Sequence, residues 1–225
     1  MQTLQGPLSD ISKEAAQPIH LRRFSPMPPT ALLIGASTGG PQALEQMLSM
    51  ASSWLRHLPI AVVLHAPPSF IEVVAANIAR ASGMPTRVAG HGDKFLPGTI
   101  YFAPGDKHLR VVRANQRVIL MHSDGEPQNF CKPAVNVLFA SAARAFGPEA
   151  LGVVLTGMGR DGLEGSRAIV DAGGALIVQD EASSAVWGMP GSIARAGLAS
   201  AVLPLAGMAS ALDGLMVAKL RRGLA

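Results

Sequence analysis

Short apolar runs recur along this chain, each closing on a small or polar cluster, and between them apolar positions return every three or four residues. Ala31 to Ile34 is the first predicted strand, and Leu44, Met47, Leu48, Ala51 and Leu55 share one face of the helix that follows. Ile60 to Leu64 is a second strand; Pro67 and Pro68 then open a helix carrying Phe70, Val74 and Ile78. The same rhythm gives a helix over Pro133 to Phe146, a buried strand over Leu151 to Thr156, a helix over Leu163 to Ala172 and a strand over Ala175 to Val178. Strands and helices in alternation predict an α/β fold, a doubly wound and mostly parallel sheet flanked by helices and joined by right-handed crossovers. The stretch from Thr86 to Leu120 breaks the rhythm. Thr99 to Ala103, Leu109 to Val112 and Arg117 to Met121 are short runs separated by Pro-Gly, Pro-Gly-Asp and Ala-Asn turns, which predicts an antiparallel β-hairpin insertion.

Toward the C-terminus, residues 196 to 212 carry no charge, but Gly197, Pro204 and Gly207 interrupt them. They read as a strand and then a surface helix with Met208, Leu212, Leu215, Met216 and Leu220 on one face, and no membrane insertion is expected. Residues 1 to 28 show no apolar period and end among prolines, so they are expected to form a flexible leader or linker, with one folded domain over 29 to 225.

Composition narrows the class. Of 225 residues 48% are hydrophobic and only 4% aromatic, so the core is aliphatic, as suits a sheet covered on both faces. The net charge of +4 draws on Arg22, Arg23, Lys219, Arg221 and Arg222 near the ends rather than on a basic stripe, which speaks against nucleic acid as a partner. Cys131 is the sole cysteine, so no intrachain disulfide forms. With no cationic start followed by an apolar stretch, the chain reads as cytoplasmic.

Candidate chemistry gathers at strand ends, where open parallel sheets bind ligands. Gly35-Ala-Ser37-Thr-Gly39 fits the G-x-S-x-G nucleophile elbow, with Pro41 opening a helix behind it. Taken singly, Ser37 is equally a helix cap, His65 a satisfied strand-end histidine and Asp161 a cap for the helix after Gly162. Together they supply a nucleophile, a base and a carboxylate that holds the imidazole tautomer, the set a serine hydrolase needs. Their chain order is Ser, His, Asp, which disfavours an α/β-hydrolase, whose order is Ser, acid, His. A phosphate-binding turn at Gly35 to Gly40 is the rival reading. It lacks both the Gly-Lys-Ser/Thr ending and the G-x-G-x-x-G spacing.

Several motifs in register resemble the catalytic domain of the chemotaxis protein-glutamate methylesterase family, CheB. They are Ile34-Gly-Ala-Ser37-Thr-Gly-Gly-Pro41, His65-Ala-Pro-Pro68, Leu96-Pro-Gly-Thr-Ile-Tyr-Phe-Ala-Pro-Gly105-Asp-Lys-His108, Pro133-Ala-Val-Asn-Val-Leu-Phe139, Leu155-Thr-Gly-Met-Gly-Arg-Asp161-Gly, and Asp180-Glu-Ala-Ser183 through Gly188-Met-Pro190. The resemblance implies Ser37, His65 and Asp161 as a catalytic triad. It implies hydrolysis of glutamate γ-methyl esters on the helices of methyl-accepting chemoreceptors, with release of methanol, and deamidation of receptor glutamines as a companion activity. No metal or organic cofactor is implied. Elbow geometry makes the Thr38 N–H one oxyanion donor, with the Met158 N–H as the second. Family members usually carry a receiver domain ahead of the esterase, which residues 1 to 28 are too few to form, so a separate receiver domain or another partner is the expected regulator. Where the family often has histidine, arginine and aspartate, this chain has Cys131, Lys132 and Asn136. Lys132 and Trp187 are candidate substrate contacts at the rim, and a thiol mechanism through Cys131 is the lesser alternative to Ser37. An inactive homologue that only docks on a receptor is the remaining rival.

Overall fold

Every residue of the two strands that open the fold is buried, β1 (Ala31–Ala36) and, after helix α1 (Gly40–Ser49), β2 (Ile60–Leu64). That pattern fits strands packed on both faces. In the computed structural model, which describes residues 18–50 and 53–223 (side chains 53–54 and 217–223 excepted), the chain continues through α2 (Pro68–Ser82), β3 (Thr86–Val88), β4 (Ile100–Phe102), β5 (His108–Ala114) and β6 (Arg117–Ser123). It then forms α3 (Val135–Phe146), β7 (Ala150–Val154), α4 (Leu163–Asp171), β8 (Ala175–Gln179), α5 (Met189–Arg195), β9 (Ala201–Leu203) and α6 (Leu205–Gly223).

Seven strands make one parallel sheet in the order β3-β4-β2-β1-β7-β8-β9, and β5 and β6 pair antiparallel on their own. Alternate residues serve opposite faces, as the strand period requires. Leu33 and Val63 pack with Leu138, Phe139 and Ile193 of α3 and α5, while Leu32, Ile34 and Val62 pack with Leu44, Met47, Ile71 and Met208 of α1, α2 and α6. Burying each such side chain contributes roughly 1.5–3 kcal/mol, so the two aliphatic layers are the main source of stability.

The chain winds outward from β1 through β2 to β4 and β3, then returns to lay β7 on the other side of β1. A switch point therefore lies at β1, and the ends of β2, β1 and β7 stand side by side. The hairpin leans on α3: the Val111 N–H donates to Ser141 Oγ at 3.0 Å and Arg113 Nε donates to the Ala145 carbonyl at 2.8 Å.

The doubly wound reading holds, with three local corrections. β3 and β4, inside the stretch read as an antiparallel insertion, are parallel members of the main sheet, and only β5 and β6 form the hairpin. Three-residue strands are too short to show a period. Helix α1 ends at Ser49, so Leu55 sits instead in a 3-10 turn, Ser53–His57; Ala51 lies outside the described residues. In α2 the inward positions are Ile71, Val74, Ala75 and Ile78, leaving Phe70 half-exposed. On α6, Met208, Leu212 and Met216 are buried as expected, and the Leu220 side chain lies outside the described residues.

Residues 18–28, within the stretch read as a leader, form neither helix nor strand. They run against the folded unit, with the Arg22 N–H donating to the Ala199 carbonyl at 2.9 Å and Ser25 Oγ to the Pro148 carbonyl at 2.8 Å. Among the described residues no helix is long and apolar enough to cross a membrane.

Candidate active site

Ser37 stands where β1 turns into α1. Its N–H donates to the Thr156 carbonyl at 3.1 Å and its carbonyl accepts from the Gly40 N–H at 2.7 Å, closing a tight turn. Gly39 takes the left-handed conformation there, with φ 77°, which a side chain would strain. Thr156 braces the turn from behind: its hydroxyl donates to the Thr38 carbonyl at 2.9 Å and accepts from the Val186 N–H at 3.0 Å. The Thr156 N–H in turn donates to the buried Gln179 Oε1 at 2.8 Å. Among the described contacts neither the Thr38 nor the Met158 N–H donates to protein.

Gly157, next along from Thr156, touches the elbow. A methyl group there would lie 2.5 Å from Met189 Sδ and 2.8 Å from Ser37 Cβ. Gly157→Ala is therefore expected to lower stability by about 1–3 kcal/mol through overpacking. It should also cut turnover about 10²-fold by displacing Ser37, since a displacement of an ångström costs that much. Thermal unfolding and steady-state kinetics check both; unchanged kcat would show that the elbow does not need this close approach.

His65 follows β2, its N–H donating to the Ala36 carbonyl at 3.1 Å, which ties it to the neighbouring strand. Its Nε2 lies 2.8 Å from Asp161 Oδ2. An ionised carboxylate only accepts, so Nε2 carries the proton and neutral His65 keeps its lone pair on Nδ1. Burial pulls the imidazole pKa down. The Asp161 hydrogen bond, then the Cys131 contact and the charges of both groups, outweigh it and raise the pKa from 6.5 to about 9.

Asp161 is held from four sides. Oδ2 also accepts from the Val135 N–H at 2.7 Å, while Oδ1 accepts from the Asn136 N–H at 3.0 Å and the Gly162 N–H at 2.8 Å. Val135 and Asn136 open α3, so the carboxylate caps α3 rather than only α4, and the unpaired amides and dipole there favour its charge. Gly35 lets that helix end come so close: a methyl group on it would meet Val135 Cγ1 at 2.6 Å. Asn136 Oδ1 accepts from the Gly162 and Gly165 N–H groups at 3.0 and 2.8 Å, joining the starts of α3 and α4 around Asp161.

Nδ1 of His65 faces Cys131, whose Sγ lies 3.7 Å away. Cys131 is placed by a tight turn in which the Gln128 and Cys131 N–H groups each donate to the other's carbonyl, at 3.0 and 2.9 Å. Asn129 and Phe130 at its tip have φ 50° and 64°, the left-handed pair that two-residue hairpin turns require. A fully exposed phenylalanine is costly in that conformation. Phe130→Gly is expected to stabilise the fold by about 1 kcal/mol, the left-handed strain removed less the entropy a glycine loses. A lowered Tm would overturn this.

Ser37, Thr38, Pro41, His65 and Phe70 line one open cleft of about 330 Å³. A larger cavity, about 530 Å³, lies between the hairpin and α3 beside His108, Arg110 and Arg144, but none of the three candidate residues reaches it. Of the two, the smaller cleft is the one lined by both Ser37 and His65. Of the rim candidates, Lys132 is half-buried with Nζ 3.3 Å from the Asp124 carbonyl. Trp187 is committed to the scaffold: Nε1 donates to the Gln179 carbonyl at 2.8 Å and Arg195 stacks on its ring at 5.1 Å. Met158 has an exposed side chain and lies on the turn that borders Ser37. Phe70 and Gln179 are site residues the sequence reading missed; the polar residue ending the apolar run Ala175 to Val178 was the available signal for Gln179.

The liganding atoms of His65, Cys131 and Asp161 lie within 4.8 Å of one another, the one group of potential metal ligands among the described residues.

The chain is 50% identical over 184 residues to a protein-glutamate methylesterase/protein-glutamine glutaminase of Rhodopseudomonas palustris, covering 82% of this chain and 47% of that protein. It is 45% identical over 200 residues to one of Paramagnetospirillum magneticum, covering 89% and 52%. The chain thus spans about half the length of the curated relatives it matches. The crystal structure of the Thermotoga maritima CheB methylesterase catalytic domain superposes with a TM-score of 0.80 at 33% identity, covering 84% of this chain and all of that one. Residues 32–212 match the family described as CheB methylesterase, and the chain belongs to that family.

Proposed function

We propose that the chain hydrolyses glutamate γ-methyl esters on the cytoplasmic helices of chemoreceptors, with Ser37 as nucleophile, His65 as general base and Asp161 as the carboxylate that orients it. The observation that carries this is the 2.8 Å bond from His65 Nε2 to Asp161 at the mouth of the cleft that Ser37 lines. With Nε2 committed to Asp161, Nδ1 is the atom that takes the Ser37 proton as Oγ attacks the ester carbonyl. The tetrahedral oxyanion that forms is met by the Thr38 and Met158 N–H groups, which have no protein acceptor among the described contacts. Protonated Nδ1 then gives its proton to the departing methoxide, methanol leaves, and His65 activates a water molecule that cleaves the acyl-enzyme.

The buried half of the site serves this scheme electrostatically. Four donors surround the Asp161 carboxylate, which stabilises the imidazolium formed in each transition state. The same steps with ammonia as leaving group would deamidate a receptor glutamine, the companion activity in the relatives' names.

Methanol release from a methylated chemoreceptor fragment tests the reading. Release that scales with enzyme and stops in Ser37→Ala supports it. Full-strength co-sedimentation of the folded chain with the receptor, without methanol from either enzyme, points instead to a protein that only docks.

A further inference from the structure

We infer that Cys131 and His65 form a binding site for a thiophilic divalent cation of the zinc class, and that the cation inhibits the enzyme by occupying the nitrogen its base must use. The geometry is that of a ligand pair. Zinc bonds of about 2.3 Å to sulfur and about 2.0–2.1 Å to nitrogen, set at a tetrahedral angle, hold the two ligand atoms about 3.6 Å apart. Cys131 Sγ and His65 Nδ1 are 3.7 Å apart. No rearrangement larger than a side-chain adjustment is needed to close the chelate.

The electronic arrangement agrees. Nε2 donates to Asp161, so the lone pair of neutral His65 is on Nδ1, on the side of Cys131. A metal-bound histidine that donates its other N–H to a carboxylate is the usual supporting arrangement, and it fixes the ring while raising its basicity. Asp161 supplies that support and is not itself a ligand, because both its oxygens are taken by His65, Val135, Asn136 and Gly162. Its membership of the cluster reflects position alone. On binding, the Cys131 thiol and, where it is protonated, the His65 imidazolium each lose a proton to solvent, the thiolate and Nδ1 each give a lone pair to the cation, and no electron is transferred. The two remaining tetrahedral positions fall to water or a substrate oxygen.

The inhibition rests on the reading of His65 as general base; the binding does not. Cobalt(II) added to the intact chain is expected to give a thiolate-to-metal charge-transfer band in the near ultraviolet, with one ion bound per chain. Cys131→Ala should abolish the band, and Asp161→Asn should weaken cobalt affinity about 10–100-fold, as loss of such a support does. Zinc should slow methanol release by the wild type, chelator should restore it, and the ratio of rates with and without zinc should approach one in Cys131→Ala. Circular dichroism checks folding, and Cys131→Ser serves if the alanine variant does not fold. A cobalt spectrum without a thiolate band, or equal zinc sensitivity in Cys131→Ala, overturns the site. A thiolate band with undiminished turnover keeps the site and overturns His65 as the base.

Discussion

Ser37→Ala is expected to lower kcat for methanol release about 10⁶-fold, the loss seen when a triad nucleophile is removed while the rest of the site stays in place. The substitution deletes one oxygen atom at a position whose backbone is held through its own N–H and carbonyl, so the fold has no reason to change. Receptor binding should persist, because the cleft walls at Pro41 and Phe70 are untouched. The 3.7 Å approach of Cys131 to the same imidazole makes the control informative. Turnover that survives in Ser37→Ala and disappears in Cys131→Ala would move the nucleophile from the hydroxyl to the thiol.

Asp161→Asn should cost about 10⁴ in kcat, the magnitude expected when the orienting carboxylate of a triad becomes an amide. One carboxamide oxygen cannot replace two carboxylate oxygens that together accept four donors. The amide nitrogen then faces either His65, favouring the wrong tautomer, or the start of α3. Each donor left without an acceptor costs about 1–3 kcal/mol, so Tm should fall as well. The pH profile separates the two effects. In the wild type, measured with chelator present, the base form of His65 accumulates as pH rises through its pKa of about 9, so kcat/KM should climb over that range. Removing Asp161 deletes the strongest influence that raises this pKa and leaves burial, which lowers it, with Cys131 as the other facing group. The rising limb should therefore move to lower pH while its plateau drops. A limb that stays near 9 would mean that another group titrates.

Much of this was readable before any coordinates. Long apolar runs such as Ala31 to Ile34 and Leu151 to Leu155 announce buried parallel strands because nothing polar interrupts them. The elbow was visible because its small residues are contiguous. Placing His65 and Asp161 at strand ends required only the alternation of elements. What stayed hidden depends on contacts between distant parts of the chain. That Asp161 caps α3, that Asn136 links two helix starts, and that Cys131 lies on the free nitrogen of His65 all arise once the helices pack on the sheet. β3 and β4 were misread because three residues cannot distinguish a parallel edge from a hairpin arm. Phe70 was grouped with Val74 and Ile78, whereas it lies one residue before the inward position Ile71 and lines the cleft.

The strand order has a consequence for synthesis. Translation delivers β1 and β2 first and β7 only after the hairpin and α3, yet β7 must lie directly against β1. A nascent chain that has emerged through α3 already holds Ser37 and His65, and it exposes the flank of β1 that β7 will cover. Without Asp161, that precursor has no carboxylate to hold the imidazole tautomer. On the mechanism proposed above, hydrolytic competence therefore arises in a single late event, the closing of the sheet across its first strand, and a prematurely released N-terminal fragment is expected to show no esterase activity.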